Sequence, residues 1–104
     1  MSLMDRERDF ENRYAHDQEL RFRIEARRNK LVGLWAAEKL GLQGEEANAY
    51  AQDVIREVFL PNEVDVFKKI RRDFDAAKVE QSDHQIRRHM EDALMQAETE
   101  LQAS

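Results

Sequence analysis

The stretch Ala26-Arg27-Arg28-Asn29-Lys30-Leu31-Val32-Gly33-Leu34-Trp35-Ala36-Ala37-Glu38-Lys39-Leu40-Gly41 begins as a charged helix, turns apolar and stops at a glycine. Leu31, Leu34 and Trp35 recur at i, i+3 and i+4, the spacing that gathers apolar side chains on one face of an α-helix. Between residues 31 and 42, eight of twelve are Leu, Val, Trp or Ala, whereas only ten of residues 1–30 are apolar. An early helix therefore meets a core here, with Trp35 expected as the largest side chain in it. Gly41, which enters left-handed dihedrals without a Cβ penalty, is where that helix closes.

Upstream, residues 5–40 contain no Pro and no Gly but Gly33, and Asp5, Glu7 and Asp9 put negative charge where the helix dipole favours it. One helix over this span would reach about 54 Å, roughly twice what a bundle of this size can cover, so part of it has to overhang. Phe10 and Tyr14 form an i, i+4 aromatic pair among Arg6, Glu7, Arg8, Asp9, Glu11 and Arg13, and Leu20 and Ile24 form an aliphatic one. The first pair is too isolated to hold a helix end onto a core. Residues 1–18 are expected to project as a mobile or partly helical segment, and residues 19–104 to form a bundle domain.

Downstream, Gly41-Leu42-Gln43-Gly44 reads as a turn and Glu45-Glu46 as the first turn of a second helix. Ala47, Tyr50, Ala51, Val54, Ile55 and Val58 make an inward stripe. Pro61 ends this helix near Leu60, because the ring restricts the residue before it and has no N–H to donate. Asn62 is an expected N-cap for a short third helix, with Asp65 in its first turn and Val64, Phe67, Ile70 and Phe74 inward. Lys68, Lys69, Arg71 and Arg72 are expected mostly outward. Ala76 to Gln81 reads as a loop. Ser82 and Gln85 then match a capping box, and Ile86, Met90, Ala93, Leu94, Ala97 and Leu101 give a fourth helix a narrow apolar stripe. Four amphipathic segments with short connections predict an all-α fold, an antiparallel four-helix bundle with a long first helix whose N-terminal part projects.

At 104 residues the chain supports one modest domain, and at 41% hydrophobic with one Pro and three Gly it is composed to fold as helix. It has no Cys, which removes disulfides and thiol chemistry and leaves only His and carboxylates as metal ligands. No run approaches the roughly 20 apolar residues that cross a bilayer, so a cytoplasmic protein without direct membrane insertion is expected. The net charge of −5 argues against nucleic acid as a partner. Residues 1–30 carry eight basic and seven acidic side chains and residues 31–104 nine and fifteen, so a mixed-charge arm precedes an acidic body.

Nothing in the chain reads as enzymatic. There is no Gly-rich phosphate loop, nucleophile elbow or pair of Glu-x-x-His motifs, and His84 and His89 lie about 140° apart around a helix, too far to share a metal. They read as surface or capping residues. His16-Asp17 is either a proton-tuning pair or a solvated one. Arg27, Arg28 and Lys30 form either a solvated face or a contact for an acidic partner or nucleotide phosphate. Phe10 and Tyr14 either pack on the protein's own helices or anchor in another protein's groove, in the mode where spaced apolar residues insert and flanking charges set register.

Asp5-Arg6-Glu7-Arg8-Asp9-Phe10-Glu11, then Tyr14-Ala15-His16-Asp17, then Ala26 through Leu42 closely resemble the zeta subunit family of alphaproteobacterial F-type ATP synthases. The resemblance covers essentially the whole chain and is least specific from Val79 onward. It implies a four-helix bundle that inhibits ATP hydrolysis by inserting its N-terminal segment into a catalytic alpha/beta interface of the ATPase head. Carried onto this chain, the inhibitory segment is Asp5, Arg6, Glu7, Arg8, Phe10, Glu11, Tyr14, Ala15, His16 and Asp17. Asp9 stands where a small residue is expected, and Asn12-Arg13 replaces a Lys-containing pair. The implied partners are the alpha, beta and gamma subunits, which would hold a monomeric, cytoplasmic protein peripheral to the inner membrane through the ATP synthase, with no cofactor. Two alternatives stay open. One is a small cytosolic nucleotide- or ligand-sensing protein without ATPase inhibition, binding ATP or ADP weakly through Arg27, Arg28 and Lys30, and the other is a structural adaptor.

Overall fold

The computed structural model describes residues 3–60 and 64–102, with side chains from residue 17 onward within those ranges. Four helices follow in order: α1 (Leu3–Lys39), α2 (Gly44–Phe59), α3 (Val66–Ala77) and α4 (Asp83–Gln102). Among the described residues there is no strand. The contacts Gly33–Ala51 and Phe22–Phe59 run α2 antiparallel to α1, and Arg27–Glu100 with Trp35–His89 do the same for α4. Around the bundle α1, α2, α3 and α4 are neighbours in turn, while α2 and α4 do not pair.

Each boundary has a local cause. The Leu42 N–H donates to the Ala37 carbonyl at 2.9 Å and the Gly41 N–H to that of Glu38 at 3.1 Å, a Schellman closure for which Gly41 takes φ 81°. The capping box forms as expected: the Gln85 N–H donates to Ser82 Oγ at 3.1 Å and the Ser82 N–H to Gln85 Oε1 at 2.8 Å. The third helix starts later than expected. Asp65 is its N-cap and accepts from the Lys68 N–H at 2.8 Å, while Asn62, the expected cap, lies outside the described residues.

The core gathers Val32 and Ala36 of α1, Val54 of α2, Val66, Ile70 and Phe74 of α3, and Ile86 and Ala93 of α4. The inner face of α1 is thus made by its small residues. Leu31 and Trp35 flank the core, partly buried, and the largest fully enclosed side chain is Phe74 rather than Trp35. The tight approach explains this: a Cβ built on Gly33 would lie 2.8 Å from the Ala51 Cα, leaving no room for a large ring between α1 and α2. Trp35 instead meets Phe74 edge-on at 5.6 Å and lies flat on the exposed His89 at 4.0 Å.

α1 is uninterrupted over 37 residues, about 56 Å of helix, against about 24 Å for α2 and about 30 Å for α4. The molecule measures 62 × 30 × 27 Å. α4 reaches back along α1 as far as Asp17 and Leu20, and α2 ends where Phe59 meets Phe22. No described helix is long and apolar enough to cross a membrane.

Candidate functional site

Three regions carry residues whose chemistry the packing alone does not explain. The first is the N-terminal part of α1. Its backbone continues as helix from Lys39 back to Leu3, in register with the core-forming half. The side chains of Asp5, Arg6, Glu7, Arg8, Phe10, Glu11, Tyr14, Ala15 and His16 lie outside the described residues, and with them the mobility expected of residues 1–18. Asp17 is exposed beside Leu20, Arg21 and the α4 residues Glu98 and Gln102.

The second is the basic run. Arg27 Nε donates to Glu100 Oε2 at 2.7 Å, and this hydrogen bond, joined by one from Gln96, holds the Glu100 carboxyl below its ordinary range. Arg28 donates to Asn29 Oδ1 at 3.1 Å and faces Arg87, Met90 and Glu91 of α4. Lys30 lies two residues beyond Arg28, about 200° around the helix. The three cations therefore do not converge on one anion-sized position.

The third was not read from the sequence. Phe22 is 60% exposed, Phe59 71% and Leu60 50%, and the two rings meet edge-to-face with centroids 5.8 Å apart. A shallow groove runs from them between α1 and α2, past Glu25, Asn29 and Ile55. Beside it, Gln18, Phe22 and Ala26 follow the i, i+4 ridge of α1, and Glu19 and Arg23 pair across one turn at 2.8 Å. Phe22 gave no signal in the sequence because it stands alone on a charged stretch, and its partner is 37 positions away.

The strongest electrostatic cluster lies elsewhere and is closed. Lys69, expected outward, is only 5% exposed, because Val66, Ile70 and Phe74 turn inward and bring it against α2. Its ammonium meets Asp53 at 2.9 Å, Glu57 at 3.1 Å and Asp73 at 2.9 Å. Burial alone would lower the Lys69 pKa, but the hydrogen bonds to Asp53, Asp73 and Glu57 outweigh it and raise it. Lys69 in turn holds Asp53 below the ordinary carboxylate range, and Arg72, with Lys69, does so for Glu57. The Tyr50 hydroxyl donates to Asp73 at 2.7 Å, and burial with that hydrogen bond pushes its pKa up. Among the described residues no buried side-chain polar atom lacks a partner, so this cluster ties α2 to α3.

α1 thus reaches past its own bundle, with an exposed apolar patch at the root of its N-terminal part. The family model for ATPase inhibitor subunit zeta matches residues 1–100. The chain belongs to that family. Membership of a family of ATPase inhibitor subunits supports an inhibitory, regulatory role for this chain and implies interaction with an ATP synthase. A comparison with individually curated proteins gave no match. The match spans both the N-terminal part of α1 and the bundle, so the zeta family comprises the whole architecture rather than either piece.

Proposed function

We propose that this protein blocks ATP hydrolysis by inserting the segment from Asp5 to Asp17 into a catalytic alpha/beta interface of the F-type ATPase head, with the bundle held outside as a stop against rotation of the gamma subunit. The observation that carries this reading is the length of α1, which runs beyond the helices that support it. An overhanging helix of mixed charge has little apolar surface to bury on its own scaffold. It is suited to ordering fully in a foreign cleft, where the ordering cost is offset by a long contact. Phe10 and Tyr14 serve as apolar anchors, and Arg6, Arg8 and Arg13 pair with acidic groups of the partner. The bundle of residues 19–104 needs neither a cofactor nor the membrane for this role. It works as a cytoplasmic monomer, peripheral to the inner membrane through the synthase.

The test compares ATP hydrolysis by the purified F-type ATPase in the presence of the full chain and of a chain lacking residues 1–18. Loss of inhibition on deletion is expected. Equal inhibition by both removes the segment from the mechanism.

A further inference from the structure

Of the large apolar side chains most exposed in the described residues, Phe22 and Phe59 pair ring to ring and Leu60 follows Phe59 in the chain, while Met95 lies apart on α4. Scattered exposed apolar residues are ordinary, whereas a contiguous cluster at a helix junction calls for a partner. The position of the cluster names that partner. α1 is one continuous helix through Asp17 and Phe22, and five residues of helix span about 7.5 Å. Any cleft that takes residues 5–17 therefore brings its mouth within about one and a half turns of Phe22. The chain cannot cover the patch with its own N-terminal segment unless α1 breaks.

We propose that Phe22, Phe59 and Leu60 are a second docking surface, at the root of the inhibitory segment, for an apolar strip on the rim of the ATPase cleft that receives that segment. The proposal rests on the inhibitory reading given above and extends it from the segment to the bundle. The two rings already hold each other edge-to-face, so little side-chain freedom is lost on docking. On its α1 side the patch is rimmed by the Glu19–Arg23 pair with Arg21 and Glu25, two charges of each sign that offset one another. Apolar contact is what this surface has to offer. A second copy of the chain seated on it would occupy the space the cleft rim has to fill.

The experiment measures binding of the full chain to the purified F-type ATPase, with hydrolysis as a parallel readout and sedimentation of the free chain. Phe22→Ser/Phe59→Ser is compared with wild type, with Leu60→Ser as a milder variant should the double one fold poorly, and with Met95→Ser as an exposed apolar site outside the patch. Weakening of Kd by about tenfold or more in the patch variants, with Met95→Ser near wild type, is expected for an apolar anchor. A Kd within about twofold of wild type overturns the proposal. So does self-association of the wild type that the patch variants abolish while their Kd for the ATPase is unchanged, since the patch then belongs to a second copy. If deletion of residues 1–18 abolishes inhibition and the patch variants act as wild type, the inhibitory reading stands and the second surface falls. If the wild type binds without inhibiting, the reading of the segment falls and the Kd comparison still decides the patch. Absence of binding by the wild type overturns both.

Discussion

Lys69 shows how a single residue is read differently by its own helix and by its neighbours. On α3 it sits in a basic run that looks solvated, yet three carboxylates surround it. Asp53 and Glu57 lie four apart on α2, where like charges repel unless a cation stands between them. Replacing Lys69 with Met takes the ammonium away from Asp53 and leaves Glu57 with Arg72 alone. Lys69→Met is expected to lower stability at pH 7 by about 2–3 kcal/mol, below the cost of breaking a fully buried pair because the acids keep some solvent. The sign of the pH dependence follows from the carboxyls. Asp53 and Glu57 are held below their ordinary 3.8 and 4.5, so their stabilisation is present above those values and lost as pH falls through and below them. Denaturant titrations of the wild type should show stability declining below about pH 4.5, and the gap to Lys69→Met narrowing as the acids protonate. A gap that stays constant down to pH 3 would mean that the ammonium is not the source of the shift.

At the scale of elements, helix ends and helix approaches are decided by different things. The capping box of α4 is a local arrangement over four residues, and Ser82→Ala should cost about 1 kcal/mol by chemical denaturation, with Ser82→Asp largely restoring it. The approach of α1 to α2 depends on two chains of contacts meeting. A Cβ at Gly33 would stand 2.8 Å from the Ala51 Cα and 3.1 Å from its Cβ, so the backbones have to separate to admit it. Gly33→Ala gains about 1 kcal/mol of helix propensity but is expected to lose more in packing, for a net loss of about 1–2 kcal/mol, and Gly33→Val more still. A melting temperature for Gly33→Ala at or above that of the wild type would show that the helices can part freely.

On the scale of the whole molecule, the protein is a short bundle with one overlong member. Among the described side chains the core begins at Ile24 and ends at Ala97, and Asp17, Gln18 and Glu19 are exposed. Removing residues 1–18 is therefore expected to leave the cooperative transition in place, shifting the melting temperature by no more than about 3 °C while reducing the helical signal. A large loss of stability, followed by circular dichroism, would mean that the segment is part of the fold rather than an arm carried by it.

Apolar periodicity, Gly41, the Ser82–Gln85 box and the poverty of chain breakers determined from the sequence alone that four helices form and roughly where they end, because each depends on residues within a turn or two of one another. The specific blocks from Asp5 to Leu42 likewise marked the family. Ile70 and Phe74 were legible as the inner face of α3, but only the tertiary structure decided that Val66 and Lys69 join them, that Trp35 is not enclosed, and that Phe22 meets Phe59. Those outcomes depend on how closely two backbones approach and on which side chain of a distant helix lies opposite. One helix's periodicity carries no information about the shape of its neighbour.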